Sequence, residues 1–384
     1  MEICLRDVIK IKHGFAFKGE FFTNEETGLA VLTPGNFTLS GGFQETEKFY
    51  SSSDFPMEFV LSAGDLIVTM TDLSKEADTI GYSAIVPDNK NHKYLHNQRI
   101  GLVTVYNSDF DKDFIYWLMR SPHYQRTIAN SSNGSTVHHT SPERIYRYRF
   151  IRREKNAQQQ IAATLSAYDN LIEINNKRIK VLEQMAENLY KEWFVRFRFP
   201  GYETAEFENG IPKGWEIKRY REIVPIVTGK KDANYGDDGG PYPFFTCAQE
   251  PIRSPGYSFD CSAVLLAGNC DLNAKIYKGK FEAYQRTYVL SPYDENLLYL
   301  LFYLIKDNVS ILKQSSTGAA ISFITKGMIE RIYCVIPTRE LLLRFNAILS
   351  KLFMQKDNLA KQNEKLVCQR DLLLPRLMSG KLEV

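Results

Sequence analysis

Hydrophobic residues recur at alternating intervals of three and four along one long stretch of the chain, from Ala157 to Phe194. This spacing is typical of a coiled-coil seam, and no glycine or proline interrupts it. A helix of that length would extend about 60 Å at 1.5 Å per residue, so it needs a partner to cover its apolar side. The seam contains Leu165, Ile172, Asn175, Ile179, Leu182, Leu189 and Trp193.

A second stretch, from Glu340 to Leu377, has the spacing expected of that partner. An apolar residue stands at every seventh position, namely Phe345, Leu352, Leu359, Leu366 and Leu373. The other half of this seam is interrupted by Lys356, Asn363 and Arg370, which a solvated helix face would also give. A polar residue such as Asn175 inside a seam fixes register, and Asn363 is a candidate to face it.

The chain also repeats itself in order, which predicts an internal duplication. Each repeat contains a globular segment and then a long helix. The matching blocks are Leu5–Ile9 with Tyr220–Val224, Gly14 with Gly229, Gln98–Arg99 with Gln285–Arg286, Ser131–Gly134 with Ser315–Gly318, Glu143–Tyr146 with Glu330–Tyr333, and the helices at Ile161 and Phe345.

The fold class predicted from these patterns is mixed α/β. Short β-rich runs alternate with turn residues in each globular half, which favours two α+β domains. Pro200 and Gly201 allow a reversal after the first helix, so the helices are expected to form an antiparallel coiled coil with the domains at opposite ends, related by a pseudo-two-fold axis. The predicted divisions are a first domain at 1–155, a first helix at 156–199, a linker at 200–214, a second domain at 215–338, and a second helix with the C-terminal tail at 339–384.

Composition narrows the class of protein. The 384 residues are 44% hydrophobic, as in a soluble protein with room for two cores, and the formal charge of +3 requires any basic surface to be local. No apolar run is long enough to span a membrane and no signal peptide is visible. The six cysteines include no CxxC pair. We therefore expect a cytoplasmic protein with reduced thiols and no membrane partner.

Catalytic motifs are not found in the sequence. The chain lacks an amino-methyltransferase Asn/Asp-Pro-Pro-Tyr/Phe motif, an FxGxG cofactor loop and a GxxxxGK[ST] phosphate loop. His138 and His139 have no third ligand at metal spacing and are interpreted as a loop pair. We predict no catalytic residue, no cofactor-binding residue and no metal ligand in this chain.

A further set of motifs runs along the chain, namely Gly14–Lys18, Gly64–Val68, Gln158–Leu182, Trp193–Phe194, Gly210–Trp215, Tyr284–Val289 and Leu372–Leu382. These motifs closely resemble the specificity subunit of type I restriction-modification systems. The resemblance covers the whole chain, and its helix and tail motifs are the specific ones.

The resemblance implies a DNA-binding subunit without catalytic activity of its own. Each globular half would be a target recognition domain that reads one half of a bipartite double-stranded DNA sequence. The helices would set the spacing and dock two modification (methyltransferase) subunits, which restriction subunits join. S-adenosylmethionine, ATP and Mg would then bind the partner subunits and not this chain.

DNA contact needs polar and basic side chains on loops, with phosphate contacts that position and base contacts that specify. The repeated Gln-Arg pair is the first choice, since an arginine grips guanine or phosphate with two hydrogen bonds. An equally weighted alternative is a strand-entry motif whose arginine pairs with a core carboxylate. The candidates are Lys18, Asn36, Thr71, Gln98, Arg99, Asn133, Ser135 and Thr136 in the first half, and Lys230, Lys231, Asn269, Asn273, Lys275, Gln285, Arg286, Ser316 and Thr317 in the second.

The densest basic run is read as a strand with one basic face, which would contact DNA, contact a partner or be solvated. It consists of Arg144, Arg147, Arg149, Arg152 and Arg153. Two other function classes stay open for the chain. One is a coiled-coil scaffold with protein-binding heads, and the other is a stand-alone methyltransferase or nuclease, which the missing motifs disfavour.

Overall fold

A computed structural model describes residues 2–46, 48–74, 76–134, 137–269, 272–314 and 323–383. Their contacts divide the chain into two compact units. Unit 1 comprises Met1–Asn175 with Lys361–Val384, and unit 2 comprises Asn176–Ala360. Each unit therefore contains one globular part, called here the first or second head, and a portion of both long helices.

The two longest helices are those that the heptad spacing predicts. They contain 36 and 41 residues, and the first ends in a π-helical turn at Lys191–Val195. They begin next to the predicted start at 156 and at the predicted start at 339, whereas the division into functional domains stays a prediction. The helices of the described residues are α1 (Lys112–Leu118), α2 (Pro122–Ser131), α3 (Pro142–Tyr146), α4 (Lys155–Tyr190), α5 (Tyr220–Ile223), α6 (Leu298–Gln314), α7 (Lys326–Glu330) and α8 (Arg339–Ser379).

All the predicted seam residues of α4 and α8 are buried or half-buried. In unit 1, Asn175 Nδ2 donates to Asn363 Oδ1 at 2.9 Å, and Asp169 accepts from Arg370 further along α8. The residue that comes earlier in α4, Asp169, therefore meets the residue that comes later in α8, Arg370. The helices are antiparallel in this unit. The pairing of Asn175 with Asn363 that the sequence suggested is confirmed.

The polar interruptions of the α8 seam each meet a polar residue of α4. Asn363 meets Asn175, as described above. Arg370 Nη1 contacts Asp169 Oδ1 at 2.6 Å in unit 1, and in unit 2 Lys356 Nζ contacts Glu183 Oε1 at 3.4 Å. Polar groups removed from water are costly unless they are paired, and this pairing explains why the seam tolerates them.

The first head contains a four-stranded sheet in the order β2-β11-β7-β9 and a five-stranded sheet in the order β3-β5-β4-β10-β6. Strand β1 pairs with β13, and β8 pairs with β12. The strands are β1 (Glu2–Cys4), β2 (Ile9–His13), β3 (Phe22–Thr23), β4 (Leu29–Val31), β5 (Phe49–Tyr50), β6 (Val60–Leu61), β7 (Leu66–Thr69), β8 (Thr71–Asp72), β9 (Ser83–Ile85), β10 (Lys93–Leu95), β11 (Ile100–Val105), β12 (His138–His139) and β13 (Arg149–Ile151).

The second head contains a six-stranded sheet in the order β17-β22-β20-β21-β18-β19, and β16 pairs with β23. Its longest strands, β20 and β21, form an antiparallel ladder. The strands are β14 (Phe207–Glu208), β15 (Ile211–Pro212), β16 (Glu216–Arg219), β17 (Ile226–Thr228), β18 (Tyr242–Phe245), β19 (Ile252–Ser254), β20 (Phe259–Ala267), β21 (Ala274–Ala283), β22 (Thr287–Leu290) and β23 (Tyr333–Ile336).

The two heads repeat one arrangement, as the sequence predicts. The antiparallel order β2-β11-β7 recurs as β17-β22-β20, and the pair β1-β13 recurs as β16-β23. A backbone hydrogen bond from Leu5 to Tyr148 is repeated by one from Tyr220 to Ile332, at 3.0 and 2.8 Å. The mixed α/β fold with an internal repeat is therefore confirmed.

One of the proposed sequence matches is out of register. The match of Glu143–Tyr146 with Glu330–Tyr333 is wrong by three residues, since α3 corresponds to α7 and both follow an extended capping residue, Ser141 or Thr325. Under this register the fully buried Ile145 and Ile329 coincide. The same interval relates Ile161 to Phe345 at the start of the helices.

The basic run at the end of the first head is not a single strand. Its first part lies in α3, where Pro142 occupies the first turn, and only Arg149 and its two successors form β13. Proline at this position favours a helix start, which explains why the alternating pattern was misleading.

Each head packs against both long helices. In unit 1 the core combines Trp117 of the first head with Leu165 of α4 and Leu377 of α8. In unit 2 it combines Leu301 of the second head with Trp193 in the π-helical turn and Phe345 of α8. No helix within the described part of the chain has the length and apolar character needed to cross a membrane.

Candidate nucleic-acid interface

A close crossing of two backbone segments precedes the repeated Gln-Arg pair in each head. A Cβ on Gly14 would lie 2.2 Å from the Asn97 carbonyl oxygen, and one on Gly229 would lie 2.0 Å from that of Ala283. Only glycine fits at such distances. The crossing is held by backbone hydrogen bonds of 2.9 Å, from Gln98 to Phe15 and from Gln285 to Lys231.

The Gln-Arg pairs occupy equivalent positions and are exposed in both heads. The carbonyl of Arg99 accepts from the Met70 amide at 3.0 Å, and that of Arg286 accepts from the Gly268 amide at 2.8 Å. Within the described residues, neither guanidinium pairs with a carboxylate. The alternative in which these arginines pair with a core carboxylate is therefore wrong, and both side chains point from the turn with their donors available.

The same edge continues through a second repeated backbone contact. In the first head Thr140 donates to the carbonyl of Met70 at 3.0 Å, and in the second head Ile324 donates to that of Gly268 at 2.8 Å. Met70 and Gly268 therefore lie between the arginine of each head and a further segment, 137–140 in the first head and 323–324 in the second. Each head thus presents one edge at which an exposed arginine adjoins two loops, and we call it the arginine edge.

In the first head the arginine edge includes two residues beyond the selected candidates: His139, interpreted from the sequence as part of a loop pair, and Arg144, predicted as part of the basic run. His139 is exposed, and its Nδ1 lies 3.2 Å from Thr71 Oγ1. Its backbone amide donates to the Asn133 carbonyl, and its carbonyl accepts from the Asn133 amide. Arg144 donates to the His139 carbonyl at 3.3 Å. A sequence signal was available, since both follow the repeated Ser/Gly block.

Two buried side chains stabilise this edge from within. Burial alone would raise the pKa of the Asp72 carboxyl, but hydrogen bonds from Thr79 and Ser74 outweigh it and hold that pKa below its ordinary value. Burial lowers the pKa of His96, whose Nε2 lies 2.8 Å from the Ile100 carbonyl oxygen. Asp72 is therefore an anion that fixes the loop up to Thr79, and His96 is a neutral support below the Gln-Arg turn.

Two candidates of the first head are corrected by the structure. Asn36 is 1% exposed. Its side-chain amide accepts hydrogen bonds from Thr33 and Thr46 and donates one to the Gln44 carbonyl. Thr71 is 4% exposed and faces His139. Both are structural residues, because their polar atoms are already bonded and lie away from solvent.

The remaining candidates of the first head are accessible or lie outside the described residues. Lys18 and Asn133 are exposed, and Lys18 precedes a short helical turn at Gly19–Phe21. Ser135 and Thr136 lie outside the described residues. The role of each accessible residue in DNA contact stays a prediction.

In the second head the candidates form two groups. Lys230 is exposed beside Gly229, and the Lys231 ammonium lies over the Tyr235 ring at 4.2 Å. Asn269, Asn273 and Lys275 are half-buried and lie around Cys247. The Cys247 thiol donates to Asn269 Oδ1 at 2.7 Å, Asn273 donates to the Cys247 carbonyl at 3.1 Å, and Lys275 donates to the Ala248 carbonyl at 2.6 Å. Ser316 and Thr317 lie outside the described residues.

This arrangement supplies hydrogen-bond donors and acceptors on loops rather than a reactive centre. No group of three or more His, Cys, Asp or Glu side chains with the geometry of a metal site occurs in the described ranges. Arginine, asparagine and lysine at loop edges are the side chains that contact phosphates and base edges.

Comparison with known proteins identifies relatives along most of the chain. The family model described as type I restriction modification DNA specificity domain matches residues 1–184 and 212–366. Its two matches agree with the internal repeat.

Individual relatives carry the same description. The chain is 41% identical over 128 residues to the EcoDI type I restriction enzyme specificity subunit of Escherichia coli, which covers 33% of this chain and 29% of that protein. It is 25% identical over 303 residues to the MjaIX type I restriction enzyme specificity subunit of Methanocaldococcus jannaschii, which covers 71% and 69%. The chain thus matches less than a third of the first relative and about two thirds of the second.

A solved structure has the same fold along nearly the whole length. The S subunit of a type I restriction-modification system from M. genitalium superposes with a TM-score of 0.59, covering 98% of this chain and 96% of that one at 15% identity. With two repeated heads, two long helices and two matches of the family model, the chain belongs to the type I restriction modification DNA specificity domain family.

Proposed function

We propose that this chain is the DNA sequence-specificity subunit of a type I restriction-modification complex. Each head reads one half of a bipartite double-stranded DNA target. The observation that carries the proposal is the exposed arginine after a repeated backbone crossing, Arg99 in one head and Arg286 in the other. A repeated reader suits a target with two half-sites, since each head contacts one of them.

The long helices have a separate role in this proposal. They set the spacing between the half-sites and dock two modification subunits, to which restriction subunits bind. The chemical steps belong to those partners, which bind S-adenosylmethionine, ATP and Mg. The chain itself contributes DNA recognition and geometry.

The test is co-expression of the chain with its modification subunit, followed by methylation-sensitive long-read sequencing of the host DNA. A bipartite motif methylated in both halves is the expected result. An alternative is a coiled-coil scaffold with protein-binding heads, and the assembled complex would then lack salt-dependent DNA affinity.

Two single substitutions test the arginine edge. Arg99→Ala should relax or abolish recognition of one half-site, and Arg286→Ala should affect only the other. A lost bidentate contact to a base costs about 1–3 kcal/mol, or roughly 5- to 150-fold in discrimination. Arg126→Ala in α2 and Arg253→Ala in β19 are matched controls, because both side chains are exposed arginines in the same heads.

The outcome separates recognition from general charge. Equal loss in both half-sites for each variant, or the same loss in the controls, would contradict reading by the arginine edge. A motif that all four variants leave unchanged would place the readout elsewhere in the heads.

A further inference from the structure

A half-buried carboxylate in unit 1 is shared by two buried arginines. Arg120 Nη1 lies 2.5 Å from Asp169 Oδ2, and Arg370 Nη1 lies 2.6 Å from Asp169 Oδ1. The side chains of the arginines are 2% and 7% exposed, and that of Asp169 is 29% exposed. Arg370 also contacts Asp371 through Nε and Nη2, at 2.9 and 2.8 Å, and the Asp371 side chain is 47% exposed. Asp169 is therefore the carboxylate that joins the two buried cations.

Arg120 links this network to the first head. Its Nε donates to the Ser40 carbonyl at 3.1 Å, and its guanidinium lies over the Trp117 ring at 4.2 Å. The stem packs on Gly41, where a Cβ would lie 2.7 Å from Arg120 Cγ. One chain of polar contacts thus connects a loop of the head, the segment between α1 and α2, and both long helices.

We propose that Asp169 is a positioning residue that fixes the angle of the first head on α4 and α8, and thereby limits the spacing between half-sites that the complex accepts. This inference rests on the proposed function. It assigns a role in specificity to a half-buried residue at the junction of the head and the helices.

Directional contacts are needed for such a role. Apolar packing is non-directional, so a core alone tolerates small rotations of a helix against the head. The two carboxylate oxygens of Asp169 face different partners, and rotation of α4 about its axis would separate at least one of them. A change of one base pair in the spacer rotates a half-site by about 35°, since DNA turns once in 10 to 10.5 base pairs. Angular fixing therefore bears directly on spacing.

The second head lacks this device at the corresponding position. By the interval that relates Ile145 to Ile329, Asp169 corresponds to Phe353. That ring packs against Tyr299 and Phe302, with centroids at 4.9 and 6.1 Å. The proposed restraint on angle is therefore a property of unit 1.

The experiment compares three variants in the complex with the modification subunit. Asp169→Asn leaves the buried Arg120 without its carboxylate and Arg370 with only the more exposed Asp371. The triple variant Arg120→Met, Asp169→Leu and Arg370→Met removes all three charges, and such apolar replacement of a buried network commonly preserves stability. Asp371→Asn is the control, since it removes only the exposed partner of Arg370. The readouts are the thermal unfolding midpoint and methylation of sites whose spacer is one base pair longer or shorter.

We expect Asp169→Asn to lower the midpoint by about 10 °C, whereas the triple variant and the control should unfold near the wild type. In the triple variant, discrimination against altered spacers should fall by about tenfold, the change that 1.4 kcal/mol produces in an equilibrium constant. Both half-site sequences should stay the same.

A stable triple variant that keeps wild-type discrimination would overturn the inference, because the network would then be structural alone. If the wild-type complex yields no bipartite motif, the proposed function fails and the inference fails with it. The two failures are distinguished by the wild-type result.

Discussion

The two heads are attached to the same pair of helices by different chemistry. In unit 1, Arg120 and Arg370 meet at the carboxylate of Asp169. In unit 2, Phe353 occupies the position that corresponds to Asp169 and packs against Tyr299 of the head, and Phe345 is fully buried in the core. The repeated backbone therefore does not dictate the contact that attaches each head.

The difference separates two demands on an attachment. Burial of aromatic rings supplies a large free energy, of which the preferred ring orientation accounts for only about 0.5–1.5 kcal/mol per pair. A buried ionic network adds little net stability compared with apolar packing, but it requires one arrangement of its partners. We interpret unit 2 as the head attached mainly by packing energy and unit 1 as the head attached with defined geometry.

The largest expected effect is in the aromatic attachment. Phe345 is fully buried, with ring centroids 4.7 Å from Phe194 and 5.9 Å from Trp193. Phe345→Ala should lower the free energy of unfolding by about 4 kcal/mol through lost burial and a residual cavity. Chemical denaturation measures it, with the exposed Met354→Ala on α8 as control. A loss below about 1 kcal/mol would show that the aromatic cluster is not the main support.

The ionic attachment should respond differently to removal of its two kinds of partner. Asp169→Asn should lower the free energy of unfolding by about 3 kcal/mol, since it leaves the buried Arg120 guanidinium without its carboxylate and Arg370 with only the more exposed Asp371. Arg370→Met should cost much less, because Arg120 and Asp169 then form a balanced pair. Denaturation of both variants under one condition provides the comparison. Equal losses would contradict the account of two cations sharing one anion.

A smaller effect is expected where the helices meet at Asn175. Asn175→Leu should cost about 1–2 kcal/mol, because Asn363 loses its hydrogen bond from Asn175 in a partly buried site. The double variant with Asn363→Leu should recover most of that loss or exceed the wild type. Denaturation of the two single variants and the double variant gives the coupling energy. Additive single effects would mean that the pair does not set register.

The smallest effect is a pH dependence in unit 2. Hydrogen bonds from Lys191 and then Lys306 lower the pKa of Glu187 below its ordinary value. A carboxyl with a lowered folded-state pKa stabilises the fold above the ordinary value and loses that contribution as pH falls through the folded pKa. Because the ion pairs are solvated, Glu187→Gln should cost only about 0.5 kcal/mol at neutral pH.

Unfolding curves of this variant and the wild type should converge as the pH falls below the ordinary carboxyl range. Lys326→Gln is a suitable control, since that lysine lies in a mostly exposed pair within α7. A difference that grows as the pH falls would contradict the assigned sign.

The long helices and the repeat were predictable because both depend on local patterns. Heptad spacing reports which side of α4 and α8 is covered, and the turn glycines Gly14 and Gly229 report backbone crossings. The equivalence of Arg99 and Arg286 followed from that repeat, but the sequence alone left the choice between a surface arginine and a core ion pair open.

The predictions that failed did so mostly because of contacts between segments distant in the sequence. Asn36 is of a residue type that is common in surface loops. Its hydrogen bonds to Thr46 and Gln44 depend on the fold of a segment that was not predictable. Asp169 reads as an ordinary exposed helix residue, and its partner Arg370 lies on the other helix, far along the chain. The strand predicted through Arg144 missed the proline that starts α3, where a local helix signal outweighs alternation.

The polar residues within the α8 seam have a consequence for folding. An apolar seam repeats every heptad, so two helices could also associate after a slide of about 10.5 Å. In such a slipped state Arg370 would face the amide of Asn175 instead of the Asp169 carboxylate, and Lys356 would lose Glu183. The polar pairs thus penalise each mispaired state during folding, so that a chain with two similar halves selects a single partner alignment.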